Sequence, residues 1–156
     1  MELKTKVTAA EGRQDLFITR EFELPVELLF KAYTEADIVG QWMGTNVLKL
    51  ENKQHGSYQF ETKDQHGTAV FRANGVIHAI IENEQIVRTF EMENAPFGPT
   101  LEFLRFESTG EDTSKLVMHV IYENNDRRDQ NLKLPFSKGI NFAHDRLESI
   151  VRQIKK

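Results

Sequence analysis

The sequence predicts an α+β fold in which a curved antiparallel sheet of six to seven strands wraps around one long C-terminal helix. Three patterns support this prediction. Residues 16–42 contain an alternating apolar run followed by two short helical stripes, and residues 46–123 contain a series of short alternating runs. Residues 137–156 form one long amphipathic segment. An antiparallel sheet of this size has an apolar face that must be covered. Only the last segment is long enough, since about 18 helical residues span roughly 27 Å.

Length and composition indicate one globular domain. A chain of 156 residues is of single-domain length and can bury a sizeable core. Residues 1–14 are polar and are predicted to form a loose N-terminal segment. Residues 15–156 are then expected to form the domain.

Charge and residue usage exclude several functional classes. A net charge of −4 argues against binding nucleic acid, which requires a clustered basic surface. The chain has no cysteine, so disulfides and thiol chemistry are excluded. No apolar run has the length of a signal peptide or of a membrane span, so we expect no membrane insertion and a cytoplasmic location.

The first strand and the two short helices are predicted from a change of period. Residues 16–24 alternate between apolar and polar side chains, as a half-buried strand does. After Pro25, a favourable residue for a helix start, apolar side chains recur at helical spacing over residues 26–33. A second short helix is expected over roughly residues 35–42, with Gly44 as its stop signal.

The middle of the chain predicts six further strands joined by short polar or glycine-bearing turns, as antiparallel hairpins require. They cover residues 46–51, 57–62, 68–81, 85–92, 100–108 and 115–123. Gly75 in the third of these runs predicts a bulge or a sharp bend. Residues 124–131 are entirely polar and are predicted to be a connector.

The C-terminal segment predicts the covering helix. Its apolar residues form one stripe at helical spacing: Ile140, Ala143, Leu147, Ile150, Val151 and Ile154. We expect this stripe to face the sheet.

The stretch ITREFELPVELLFKAYTEADIVGQWMG, residues 18–44, resembles the opening signature of the heat-shock-protein-90 ATPase activator homologue family, in the START-like, helix-grip superfamily. The residues that carry the resemblance are Arg20, Pro25, Thr34, Glu35, Asp37 and Trp42. Gly56 with Tyr58, the run at 75–78 and the glycine-led last helix also fit, so the resemblance covers about residues 16–154. It implies the helix-grip fold, in a superfamily that includes binding proteins, cyclases and co-chaperones.

Sequence motifs for catalysis or metal binding are absent, and we predict no catalytic residue, no metal and no cofactor. His55 and His66 fall in predicted turns, where exposed polar residues are usual. His144 and Glu148 share a helical face, but two ligands alone do not form a metal site, so we expect both to face solvent. His119 lies in the middle of a strand and is expected to be structural.

Two arginines share strand parity with apolar residues and are therefore predicted to point inward. Arg20 alternates with Ile18 and Phe22, and Arg88 alternates with Ile86 and Phe90. A buried cation must be paired or must serve a ligand, because burying it alone is costly. Each could capture an anionic head group, pair with an acidic side chain, or extend to the rim of the domain.

Apolar residues with inward parity are the candidates for a ligand site. On the strands they are Tyr58, Phe60, Phe90, Met92, Phe103 and Met118, and on the helical side Trp42, Phe136, Ile140, Ala143 and Leu147. They could fill a packed core or line a cavity, and the family resemblance favours a cavity. Phe97, in a stiff proline- and glycine-bearing loop, could cover the mouth of that cavity, contact a partner or fold back onto the domain.

The leading interpretation is a binding protein for a small apolar molecule, which can carry an anionic head, held between sheet and C-terminal helix by Arg20, Arg88 and the apolar candidates. One alternative is a chaperone-associated interaction module with a chaperone as partner. A second is a lyase or cyclase that uses the same cavity, with His78 or His119 as its base. Both a monomer and a homodimer are compatible with the sequence.

Overall fold

The computed structural model describes residues 3–93 and 95–154; residues 1, 2, 94, 155 and 156, which belong to the predicted N-terminal segment, one predicted turn and the predicted last helix, lie outside that part. The described residues form eight strands and four helices. In chain order these are β1 Lys6–Thr8, β2 Asp15–Phe22, α1 Val26–Thr34, α2 Ala36–Met43, β3 Asn46–Leu50, β4 Ser57–Lys63, β5 Ala69–Ile81, β6 Gln85–Met92, β7 Thr100–Gly110, β8 Thr113–Ile121, α3 Asn125–Leu132 and α4 Phe136–Ile154. None of the helices in these residues is long and apolar enough to cross a membrane.

The strands form one antiparallel sheet in the order β1-β2-β8-β7-β6-β5-β4-β3. The predicted count of six to seven strands is wrong, because the segment expected to be loose contains β1. Lys6 pairs with Thr19 and Thr8 pairs with Phe17, so β1 lies at the edge of the sheet. Three residues are too few to display a period of two, which is why the sequence did not reveal this strand.

The segment after β8, predicted to be a polar connector, contains the helix α3. The Asn124 side chain caps α3 by accepting a hydrogen bond from the backbone N–H of Arg127 at 2.9 Å. The helix is attached to the domain by buried Arg128, which donates to the carbonyl oxygens of Ala10 and Asp15 at 2.7 and 3.0 Å. Because a polar side chain makes this attachment, α3 has no apolar stripe to detect.

The long helix α4 packs over one face of the sheet, but not equally along its length. In its second half, Leu147 and Val151 are fully buried and belong to one apolar core with Leu104 and Leu116 of β7 and β8. In its first half, side chains such as Ile140 are only half-buried. The first half of α4 therefore lies over a less filled space.

The close packing of the sheet requires a glycine at position 75, and the predicted bulge lies further along the strand. The irregularity in the pairing of β5 with β6 lies between Ile77 and Ala79, not at Gly75. A Cβ atom on Gly75 would lie 2.0 Å from the carbonyl oxygen of Thr89 and 2.5 Å from the Tyr58 hydroxyl. Only glycine leaves room for the hydrogen bond that Tyr58 donates to Thr89.

Candidate functional site

A partly open pocket of about 630 Å³ lies between the sheet and the first half of α4. Strands β2 and β5–β8 form its floor, α1, α2 and α4 its walls, and the β6–β7 loop and the α3–α4 linker contribute to its rim. The lining residues are Ile18, Tyr33, Trp42, Met43, Phe71, Arg88, Phe90, Met92, Phe97, Gly98, Thr100, Glu102, Met118, Val120, Tyr122, Asn131, Leu134, Pro135, Phe136, Gly139, Ile140 and Ala143.

Most of the residues singled out from sequence meet in this pocket. Those that line it are Trp42, Arg88, Phe90, Met92, Met118, Phe136, Ile140 and Ala143. Phe97 also lines it and is buried, so its loop folds back onto the domain. Contact of these residues with a ligand remains a prediction.

The other candidates lie elsewhere. Tyr58 and Phe60 are buried and pack against each other with ring centroids 5.2 Å apart, outside the pocket lining. Leu147 is part of the packed core under the second half of α4. Arg20 and Phe103 also lie outside the pocket lining.

Phe103 points to the opposite face of the sheet from the one predicted. Its ring lies 6.1 Å from that of His119, and the residues that face inward on β7 are its neighbours Glu102 and Leu104. The alternation was ambiguous because both faces of β7 carry apolar side chains. Because Glu102 is charged, the set of alternate residues that contains it was assigned to the solvent-facing side, although this set faces inward.

Glu102, which the sequence analysis missed, is the partner of Arg88. The two residues are opposite each other on β7 and β6, and Arg88 Nε donates to Glu102 Oε1 at 2.8 Å. Both side chains are largely buried, with 12% and 10% of their surface exposed. An acidic residue in register with an inward-facing arginine marks such a pair, but this register between β6 and β7 is known only from the structure.

Aromatic rings surround the Arg88 guanidinium. Its central carbon lies 5.4 Å from the ring centroid of Tyr58, 5.9 Å from that of Tyr33 and 6.0 Å from that of Phe90. Burial acts to lower the pKa of Arg88, but the neighbouring Tyr58 and Glu102 outweigh it and raise the pKa above its usual range. Arg88 is therefore a permanent cation.

Further polar groups line the pocket near this ion pair. Tyr122 accepts a hydrogen bond from the side-chain amide of Asn131, and burial raises the pKa of its hydroxyl. Thr100 donates to the carbonyl oxygen of Phe90 at 3.2 Å. Trp42 donates its indole N–H to the carbonyl oxygen of Ala32 at 2.7 Å, which fixes the indole in the wall. The arrangement can orient a polar group on a ligand whose remaining surface is apolar.

Arg20 occupies an ionic cluster under α4 instead of the pocket. Its Nη1 lies 2.8 Å from Asp145 Oδ1, and its Nη2 lies 3.3 Å from Glu148 Oε1. Glu148 also accepts a hydrogen bond from the backbone N–H of Glu23 at 2.7 Å. The expectation that Glu148 faces solvent is wrong, because this carboxylate is required inside to neutralise Arg20.

His144 is fully buried, which also contradicts the expectation of a solvent-facing side chain. Its Nδ1 is hydrogen-bonded to Thr5 Oγ1 at 2.8 Å, and its Nε2 lies 3.5 Å from the Tyr33 hydroxyl. Burial and the nearby charge of Arg20 lower the pKa of His144 to about 3. This histidine is therefore neutral and ties α4 to the N-terminal segment and to α1.

The remaining histidines lie away from the pocket. His55, His66 and His78 are exposed. His119 Nε2 lies 2.7 Å from Asp15 Oδ2, and its ring stacks on Phe17 on the outer face of the sheet. Within residues 3–93 and 95–154, no group of three or more potential ligands is placed to hold a metal ion.

Comparisons with known proteins agree on the fold. A crystal structure from Rhodobacter sphaeroides has a TM-score of 0.83 at 17% identity and covers 97% of this chain and 99% of its own. A solution structure from Arthrobacter aurescens has a TM-score of 0.82 at 14% identity, with 95% and 91% covered. Protein Ms6760 from Mycobacterium smegmatis has a TM-score of 0.77 at 16% identity, with 93% and 96% covered. At these identities the likeness establishes the fold alone.

No curated protein sequence matches the chain. The family model described as "Activator of Hsp90 ATPase homolog 1-like protein" matches residues 23–152, which is most of the 156-residue chain. The strand order, the C-terminal helix and the structural neighbours are those of the START-like, helix-grip fold. The chain therefore belongs to the family of Activator of Hsp90 ATPase homolog 1-like proteins.

Proposed function

We propose that this protein binds a small, predominantly apolar molecule in the pocket between the sheet and the first half of α4. The observation that carries the proposal is a cavity of about 630 Å³ with a mostly apolar lining and a few polar groups. Binding sites for small molecules commonly have volumes of roughly 300–1,000 Å³ and this mixture of side chains.

Burial of apolar surface would supply most of the binding free energy. Phe90, Met118 and Ala143 offer side chains from both the sheet and α4, so a ligand between them would lose water on two sides. Arg88, held by Glu102 and by aromatic rings, would orient the polar end of the ligand.

The test uses the neutral dye N-phenyl-1-naphthylamine, whose fluorescence increases in apolar surroundings. We expect saturable binding to the wild-type protein, and its loss in Ala143→Phe, which places a ring in the pocket. Gln153→Phe is the matched control, because it adds the same ring at an exposed position of the same helix. Absence of saturable binding to the wild type, or equal binding to both variants, would refute the proposal.

A chaperone-associated interaction is the second candidate, favoured by the Hsp90 ATPase activation to which the description of the matched family refers. The measurement is the ATPase rate of an Hsp90-type chaperone with and without this protein, together with a pull-down. Stimulation and retention on the chaperone would support this role, and failure of both would reject it.

The lyase or cyclase alternative has less support. It required His78 or His119 as a base in the cavity, and neither belongs to the pocket lining. Among the described residues, the groups in the pocket lining that could exchange a proton are tyrosines and the glutamate paired with Arg88, and no histidine. Binding of a small molecule is therefore the better-supported proposal.

A further inference from the structure

The charges in the pocket wall cancel. Among the described residues that line the pocket, Arg88 and Glu102 alone carry formal charges. They are joined by the hydrogen bond from Nε to Oε1 at 2.8 Å, and both side chains are about nine-tenths buried. The pocket therefore has no net charge for an ionic ligand to neutralise.

This cancellation changes what Arg88 can recognise. A ligand carboxylate beside Arg88 would also lie close to the carboxylate of Glu102, and repulsion between the two is strong once the ligand has displaced the water from the pocket. It would lose its hydration without gaining an unpaired cation. The anionic head expected from the sequence is thus disfavoured by the residue that the sequence analysis missed.

Hydrogen-bonding capacity nevertheless remains at the ion pair. Among the described residues, neither Nη atom of Arg88 makes a hydrogen bond, and Oε2 of Glu102 makes none. The Tyr122 hydroxyl accepts from Asn131 and has no acceptor for its own proton in the same part of the chain. The pocket thus offers unused donors on Arg88 and Tyr122 and one unused acceptor on Glu102.

We infer that the pocket selects electrically neutral ligands that carry an oxygen acceptor beside an N–H or O–H donor, such as an amide, and that Glu102 sets this selectivity against carboxylates. The inference rests on the proposed function. It assigns a substrate class to the pocket and names Glu102 as the residue that determines specificity.

The test compares 2-naphthamide with 2-naphthoate, which have nearly the same shape and differ in charge, as competitors of N-phenyl-1-naphthylamine at pH 7. We expect the amide to bind the wild-type protein at least about tenfold more tightly. In Glu102→Gln the pocket gains a net positive charge, so the preference should disappear or reverse. Glu61→Gln is the matched control, because Glu61 is also buried and paired with an arginine, Arg72, but lies outside the pocket lining.

The outcomes separate the inference from the function on which it rests. Naphthoate binding to the wild type as tightly as the amide, or failure of both compounds to displace a bound dye, overturns the inference while dye binding still supports the pocket. A dye that does not bind overturns both. The wild-type comparison needs no variant, so the inference stays testable even if Glu102→Gln does not fold.

Discussion

Arg20 and Arg88 lie on the same face of one sheet, on β2 and β6, and both are removed from bulk water. Arg20 has no exposed side-chain surface and contacts two carboxylates of α4. Arg88 has one carboxylate partner, three aromatic neighbours and a position in the pocket wall. One cation joins two elements of the fold, and the other has donors that face a cavity.

The difference extends along α4. Its second half, near Arg20, contributes fully buried apolar residues to the core, whereas the apolar residues of its first half, near the pocket, are only partly buried. We therefore expect the region around Arg20, which has two carboxylate partners, to contribute mainly to stability. The region around Arg88, which has one, is available for binding. The following changes test this division, from the largest expected effect to the smallest.

Arg20→Met should destabilise the protein more than Arg88→Met. Without Arg20, the buried carboxylate of Glu148 has lost its cation, and breaking such a pair costs about 3–5 kcal/mol. Arg88→Met leaves Glu102 beside an open pocket that water can enter, so we expect a loss of about 1–3 kcal/mol. Urea unfolding of both variants measures the difference. Equal losses would contradict the division.

Leu147→Ala and Ile140→Ala compare the two halves of α4 directly. Leu147 is fully buried, and truncating such a residue costs about 2–5 kcal/mol. Ile140 is half-buried in the pocket wall, so its truncation should cost about 1 kcal/mol. The free energies of unfolding, measured under identical conditions, should differ by at least a factor of two. If Ile140→Ala is as costly as Leu147→Ala, the first half of α4 is packed after all.

Acid should lower the free energy of unfolding through protonation of His144, which is buried under α4. Its folded pKa of about 3 lies below the unfolded value of about 6.5, so the unfolded chain binds a proton more readily. The stability that neutral His144 provides is therefore complete above pH 6.5 and declines as the pH falls towards 3. Between pH 7 and pH 4 we expect a loss of about 2–3 kcal/mol.

The groups around His144 are Thr5, Tyr33, Arg20 and Asp145. The control for the pH effect is His144→Gln, which keeps a polar side chain but does not titrate. Its stability should change less over the same pH range than that of the wild type. Identical pH profiles would show that other groups cause the acid sensitivity.

Two glycines give a test by opposite signs, and Gly139 gives the smallest expected effect. Gly139 lies in α4 at the pocket, and an added Cβ would meet no atom within 4 Å, so Gly139→Ala should stabilise the protein by about 0.5–1 kcal/mol through helix propensity. Gly75 faces Thr89 and Tyr58, so Gly75→Ala should destabilise it by about 1–3 kcal/mol through overpacking. Thermal unfolding should show shifts of opposite sign. Shifts of the same sign would not fit the two environments.

The predictable parts of the fold were those with a strong period. The alternation in β6 and the apolar stripe of α4 located both elements, because burial on one face imposes these patterns. β1 and α3 did not follow this rule, since one is three residues long and the other is attached through Arg128. Polar side chains that hold an element in place leave no hydrophobic period in the sequence.

In the site, the inward parity of Arg88 was readable, but its partner was not. The inward position of Glu102 on β7 depends on pairing between strands, which a single strand's alternation does not encode. The same limit applies to His144 and Glu148, which are polar and yet buried. Charges that satisfy one another inside the domain resemble surface residues until the pairing of strands and helices is known.

Trp42, the only tryptophan in the chain, lies in the wall of the pocket with its indole N–H already bonded to Ala32. With excitation selective for tryptophan, its intrinsic fluorescence should therefore report on one place in the molecule, without a second indole to dilute the signal. Because the indole is held in a fixed orientation, a change in emission on adding a compound would reflect what enters the pocket. The protein thus contains a spectroscopic probe suited to screening for its own ligand without a label.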